Sequence, residues 1–114
     1  MTRRKTTALA HAGAVVALLV SGAASAADVA AGRAKALMCQ ACHGTDGLSK
    51  VPEAPNIAGQ TESYLAAQLQ AFRAGTRKSE TMNVVTSTLS DADVANLAAY
   101  FSAIEIKVMK VPGE

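Results

Sequence analysis

Tryptophan is absent from this chain, and its 114 residues include only two tyrosines and two phenylalanines. A core built from large side chains is thereby excluded, because aromatic residues contribute the greatest buried area per residue. Half of the residues are hydrophobic, but many of these are alanine, which buries little surface. Cysteine is limited to Cys39 and Cys42, too few for a disulfide-stapled scaffold. No stretch alternates apolar and polar residues for long enough to specify a strand. A surplus of positive charge is missing as well. Net charge is +2, and three of the 11 basic residues are Arg3, Arg4 and Lys5; the rest are outnumbered by the nine acidic ones. That balance excludes a basic nucleic-acid surface as the main business of the folded part.

Between Lys5 and Asp28 there is no Asp, Glu, Lys or Arg. Arg3-Arg4-Lys5 forms a positive n-region, Ala8 to Val20 a short apolar stretch, and Ala24-Ser25-Ala26 a small-residue cleavage pattern. These features predict a secretory signal peptide over residues 1–26 and a mature domain over residues 27–114. A membrane anchor needs about 20 strongly apolar residues, whereas His11 and Gly13 interrupt this segment. The adjacent arginines fit a twin-arginine signal, but Lys5-Thr6-Thr7 lacks the apolar residues expected behind them, so a general secretory signal fits better. The mature part is expected in the periplasm, with no membrane association after cleavage.

Three stretches of the mature part carry helical periodicity. In the first, from Asp28 to Cys39, Val29, Gly32, Ala36 and Cys39 share a face. The second runs from Thr61 to Ala74, with Thr61 placed to cap it, a stripe of Leu65, Leu69 and Phe72, and Gly75 where a left-handed C-terminal residue is favoured. The third begins at Ser90, with Asp91 and Asp93 in its first turn and a stripe of Val94, Leu97, Ala98, Phe101 and Ile104. Residues 44–60, with Pro52 and Pro55, and the Ser/Thr-rich residues 75–89 read as loops. The fold class is all-α.

Chemistry concentrates in Cys39-Gln40-Ala41-Cys42-His43. The spacing C-x-x-C-H is that of c-type haem attachment. Two thiols three apart at the end of a helix reach the two vinyl groups of a porphyrin, and the next residue points its imidazole at the iron from the same side. A zinc site wants four ligands, more than the two cysteines and one histidine after residue 26 provide. A thioredoxin-like dithiol wants a strand before the motif, where here a helix precedes it. A plain disulfide leaves both His43 and the sparse core unexplained. A haem, by contrast, supplies a large apolar plate for an alanine-rich chain to bury, at about 25 cal/mol per Å².

From Asp28 to Ile104 the sequence resembles the class I cytochromes c, and within them the small bacterial monohaem type and one half of the dihaem type. The resemblance lies in Ala31-Gly32, Cys39 to Gly44, Ala54-Pro55-Asn56-Ile57-Ala58-Gly59-Gln60, Tyr64-Leu65 with Gln68-Leu69 and Phe72, Met82, and Leu97-Ala98-Ala99-Tyr100-Phe101. It implies three main helices with loops wrapped around one covalently bound c-type haem (heme c), attached through Cys39 and Cys42. It also implies His43 and Met82 as axial metal ligands. Met38 adjoins Cys39 and cannot reach the far face of the haem, and Met109 lies beyond the third helix, whereas Met82 sits in the loop where the family places its ligand. The resemblance further makes the carbonyl of Pro55 the partner of the ligating imidazole, with Asn56 and Tyr64 as candidate hydrogen-bonders near the haem propionates. It makes Gly32 and Tyr100 the crossing point of the terminal helices.

The implied function is a periplasmic single-electron carrier with transient redox-protein donors and acceptors. One alternative is a cytochrome subunit bound to a periplasmic dehydrogenase. The other is a haem enzyme or sensor with an open sixth position, which lacks a distal histidine, because His43 is the only one after residue 26. Arg73, Arg77 and Lys78 form the densest positive cluster of the mature part. They read either as a docking patch for an acidic partner or as ordinary solvation of a loop.

Overall fold

The computed structural model describes Thr2 and residues 26–114; the signal-peptide segment otherwise lies outside the described residues. Five α-helical segments follow in order among them: α1 (Val29–Lys35), α2 (Gln40–His43), α3 (Glu62–Arg73), α4 (Glu80–Thr86) and α5 (Asp91–Ser102). No strand occurs among the described residues, in keeping with the all-α reading.

The first expected helix is not continuous. Its α-helical part ends at Lys35, a 3-10 turn covers Ala36–Met38, and α2 restarts the helix at Gln40. A 3-10 turn has three residues per turn, so side chains three apart eclipse. Ala36, which is fully buried, and Cys39 are thereby stacked on one side, with the Cys39 N–H donating to the Ala36 carbonyl at 2.9 Å. The tightening turns the haem-motif helix relative to α1.

Helix α1 crosses α5 at Gly32. A Cβ there would collide with the Asn96 carbonyl and stand 2.8 Å from Tyr100 Cβ, so only hydrogen permits this approach. The crossing is fixed further by Asp28, whose N–H donates to Asn96 Oδ1 at 2.8 Å while its carboxylate caps α1. Helix α5 begins at the Ser90 N-cap its sequence predicts, and the structure adds a capping box. Ser90 Oγ accepts from the Asp93 N–H and the Asp93 carboxylate accepts from the Ser90 N–H, both at 3.0 Å. Helix α3 has Thr61 at its N-cap position, but the hydroxyl makes no cap bond, which corrects the capping role expected for it. Its C-terminus closes as a Schellman motif. Gly75 takes φ +72°, its N–H donates to the Phe72 carbonyl, and the Thr76 N–H donates to the Ala71 carbonyl.

The core lies between α3, α5 and the turn at Ala36. It comprises Ala36, Leu65, Leu89, Val94, Leu97, Ala98 and Phe101, with Cys39, Ile57 and Leu69 packed against it. Phe101 is the one fully embedded aromatic, edge-on to Tyr100 at 5.0 Å between centroids. The core is as poor in large side chains as the composition requires.

Candidate functional site

The Cys39–His43 segment is held from both ends. The His43 N–H donates to the Cys39 carbonyl at 2.9 Å, and the Lys50 N–H reaches back to the Cys42 carbonyl at 2.8 Å. Both thiols are free and half-buried, so no disulfide joins them. Burial pushes the Cys39 thiol up to about 11, which keeps it an uncharged S–H at neutral pH. Thiol–disulfide exchange and zinc ligation both use the thiolate. The environment of Cys39 therefore suits neither.

His43 is buried, and its Nδ1 donates to the Pro55 carbonyl at 2.9 Å. A carbonyl only accepts, so a proton sits on Nδ1, and in the neutral ring the lone pair is then on Nε2. This is the arrangement that fixes ring orientation and basicity in a metal-ligating histidine. Pro55 is delivered by a loop with its own scaffold. The Gly47 carbonyl accepts from both Ile57 N–H (2.8 Å) and Ala58 N–H (3.0 Å), and the Ser49 N–H donates to Asn56 Oδ1 at 2.7 Å. Tyr100 Oη donates to the Thr45 carbonyl at 2.6 Å, tying the loop to α5. Asn56 Oδ1 is thus engaged within the loop, and Tyr64 is exposed.

Met82 lies not in a loop but in the first turn of α4, and it is half-buried. Periodicity missed this helix, which has only seven residues. Its one legible signal was Ser79-Glu80, an N-cap followed by an acid in the first turn. Ser79 Oγ accepts from the Met82 N–H at 3.2 Å, and Thr86 Oγ1 donates to the Met82 carbonyl at 2.7 Å. Asn83, also overlooked in the sequence, ties the same turn to α3. Met109 is 83% exposed on the tail and Met38 is 40% exposed beside Cys39, so Met82 is the most enclosed of the three.

The structure therefore brings Cys39, Cys42, His43 and Pro55 together in one hydrogen-bonded unit and presents Met82 on a separate, braced arm. The donor set fits a c-type haem: two unpaired thiols three apart, one imidazole oriented through Nδ1, and a thioether. Two members of the basic cluster have partners within the chain. Arg73 donates to the Leu89 carbonyl and pairs with Asp91, while Arg77 donates to Gln68 and lies 4.5 Å over the Phe72 ring. Lys78 alone of the three is left as plain surface charge.

The fold and this site place the chain in one class, and comparison with known sequences agrees. The family description "Cytochrome c" matches residues 29–105, and the chain belongs to that family. It is 45% identical over 84 residues to cytochrome c4 of Pseudomonas aeruginosa, covering 74% of this chain and 42% of that protein. It is 45% identical over 83 residues to cytochrome c-554(548) of Halomonas halodenitrificans, covering 70% of this chain and 100% of that one. A thiosulfate dehydrogenase electron acceptor of Stutzerimonas stutzeri is 41% identical over 69 residues, covering 58% of this chain and 32% of the relative. The structure of reduced cytochrome c4 from Pseudomonas stutzeri superposes with a TM-score of 0.66 at 43% identity, over 70% of this chain and 47% of that one. The chain thus spans about half the length of the cytochromes c4 it matches and the whole length of the shorter relative. Among the described residues no helix is long and apolar enough to cross a membrane.

Proposed function

We propose that the chain is an exported single-electron carrier holding one covalently attached c-type haem. The observation that carries this reading is the His43 Nδ1–Pro55 hydrogen bond within a C-x-x-C-H segment whose thiols are unpaired. When bound, the haem supplies a one-electron ferrous/ferric couple.

The chain's own residues define how that couple is used. Cys39 and Cys42 would hold the haem through two thioethers, one per thiol. His43 would hold the iron through Nε2, and Pro55 holds its ring against rotation. Met82 offers its sulfur from the opposite arm, and a thioether favours the reduced iron and raises the potential. With His43 and Met82 both holding the iron, no position would be left for an outside ligand, which favours a carrier over an enzyme or sensor. Residues 1–26 direct export, residues 27–114 form the cytochrome domain, and the working compartment is the periplasm. Donor and acceptor are redox proteins met in small, short-lived encounters.

The likeness to a thiosulfate dehydrogenase electron acceptor supports a second reading, in which one such partner is a periplasmic dehydrogenase that this chain serves as acceptor or subunit. The covalent claim is tested by haem staining of denaturing gels after expression with a haem-attachment system. Wild type should stain and the double variant Cys39→Ala/Cys42→Ala should not. Staining of the double variant would overturn the attachment sites.

A further inference from the structure

The carboxamide of Asn83 is placed to fix the arm that carries Met82. Its Nδ2 donates to the Phe72 carbonyl at 2.6 Å and to the Arg77 carbonyl at 2.9 Å, and its Oδ1 accepts from the Ser79 N–H at 2.9 Å. These partners span the last turn of α3, the connecting turn and the N-cap of α4. One side chain therefore adds a second donor to the Phe72 carbonyl, which already accepts from the Gly75 N–H, and also sets the position of Ser79. Ser79 in turn holds the Met82 N–H, and the fully buried Thr86 holds its carbonyl. Helix α4 has only seven residues and the Met82 backbone sits in its first turn, so the Asn83 bonds act directly on the turn that carries Met82.

We infer that Asn83 is a positioning residue for axial ligation: it locks the Met82 arm to α3 and so sets how readily the sulfur gives way to an outside ligand. The inference rests on the reading of Met82 as the sixth ligand. Exchange of a protein ligand for added imidazole requires the Met82 sulfur to move off before the new nitrogen can bind. The rate therefore reports how firmly the arm is held.

The experiment follows imidazole binding to the ferric holoprotein by stopped-flow absorption, together with the intensity of the weak near-infrared sulfur-to-iron band. Asn83→Asp keeps the volume and the acceptor for the Ser79 N–H but turns a carboxylate toward two carbonyls; Asn83→Ala removes the clamp altogether. With two donor bonds lost, each variant should bind imidazole about tenfold faster or more and show a weakened band. Asp28→Ala, which loosens the distant α1 cap, serves as the stability control and should leave both readouts unchanged. Met82→Ala should abolish the band. A band that survives in Met82→Ala would refute the ligand reading itself. If Met82→Ala loses the band while both Asn83 variants exchange at the wild-type rate, the clamp plays no part. If Asp28→Ala speeds exchange as much as they do, the effect is general destabilisation and the inference fails.

Discussion

His43 and Pro55 are joined across twelve residues of loop: the imidazole Nδ1 donates to the prolyl carbonyl at 2.9 Å. A side chain whose own ring closes on its backbone nitrogen keeps that carbonyl on a stiff segment, so the bond restrains the ring rather than following it. Pro55→Gly should leave haem attached but slacken the bond. Weaker hydrogen bonding lowers the electron donation of the imidazole, so the reduction potential should rise, on the order of 20–60 mV for the loss of one hydrogen bond. A spectroelectrochemical titration reads this directly, and an unchanged or lowered potential would count against the orienting role of Pro55.

Met82 and Met109 separate cleanly as ligand candidates. Met82→Ala should keep the haem, lose the near-infrared band and lower the potential, because the thioether is what favours the reduced state. Met109→Ala, at an 83% exposed position, should change none of these. The reverse pattern in the same optical spectra would reassign the ligand.

The α1–α5 crossing tolerates no side chain at position 32. A Cβ at Gly32 meets the backbone of Asn96, which cannot swing aside as a side-chain tip would. Gly32→Ala should therefore destabilise the holoprotein by about 1–3 kcal/mol, the range of overpacked sites. Denaturant unfolding followed at the Soret band measures it; stability within about 0.5 kcal/mol of wild type, the level of an ordinary surface change, would show that the helices slide apart at little cost.

Acid should loosen the start of α5. The Ser90 N–H, and after it the Lys35 ammonium 3.1 Å away, hold the Asp93 carboxyl below its ordinary value. A carboxyl held low in the folded state is protonated first in the unfolded chain. Its contribution is therefore complete above the unfolded value of about 4 and fades as pH falls below it. Asp93→Asn should flatten the acid side of the stability–pH curve below about pH 4 and leave the curve unchanged in shape above about pH 5. An acid limb as steep as wild type would assign the effect to other carboxylates.

Much of this architecture was legible in the chain itself. The stripe from Val94 to Ile104, the Ser90 N-cap and Gly75 beyond α3 each follow from local spacing or backbone chemistry, and each recurs in the structure. The C-x-x-C-H spacing is equally local. What escaped was short or non-local. Seven residues of α4 make two turns, too few for a 3.6-residue period to stand out in a Ser/Thr-rich stretch. The break after Lys35 comes from packing of Ala36 into the core, which no propensity records. The role of Pro55 lies in a main-chain carbonyl, invisible in side-chain identity, and only the family resemblance pointed to it. Asn83 binds backbone groups up to eleven residues away, and the partners of Arg73 and Arg77 within the chain are likewise tertiary neighbours. A run of basic residues looked the same whether free to meet a partner or already engaged.

The central claim is a one-electron centre with an imidazole on one side and a thioether on the other. An optical redox titration of the purified holoprotein tests it in a single measurement. The account predicts one reversible wave with the slope of a single-electron couple, about 59 mV per tenfold change in ratio. It predicts low-spin spectra throughout and a near-infrared band in the oxidised form alone. A high-spin ferric spectrum without that band would contradict it, leaving the sixth position open and the carrier function without its second ligand.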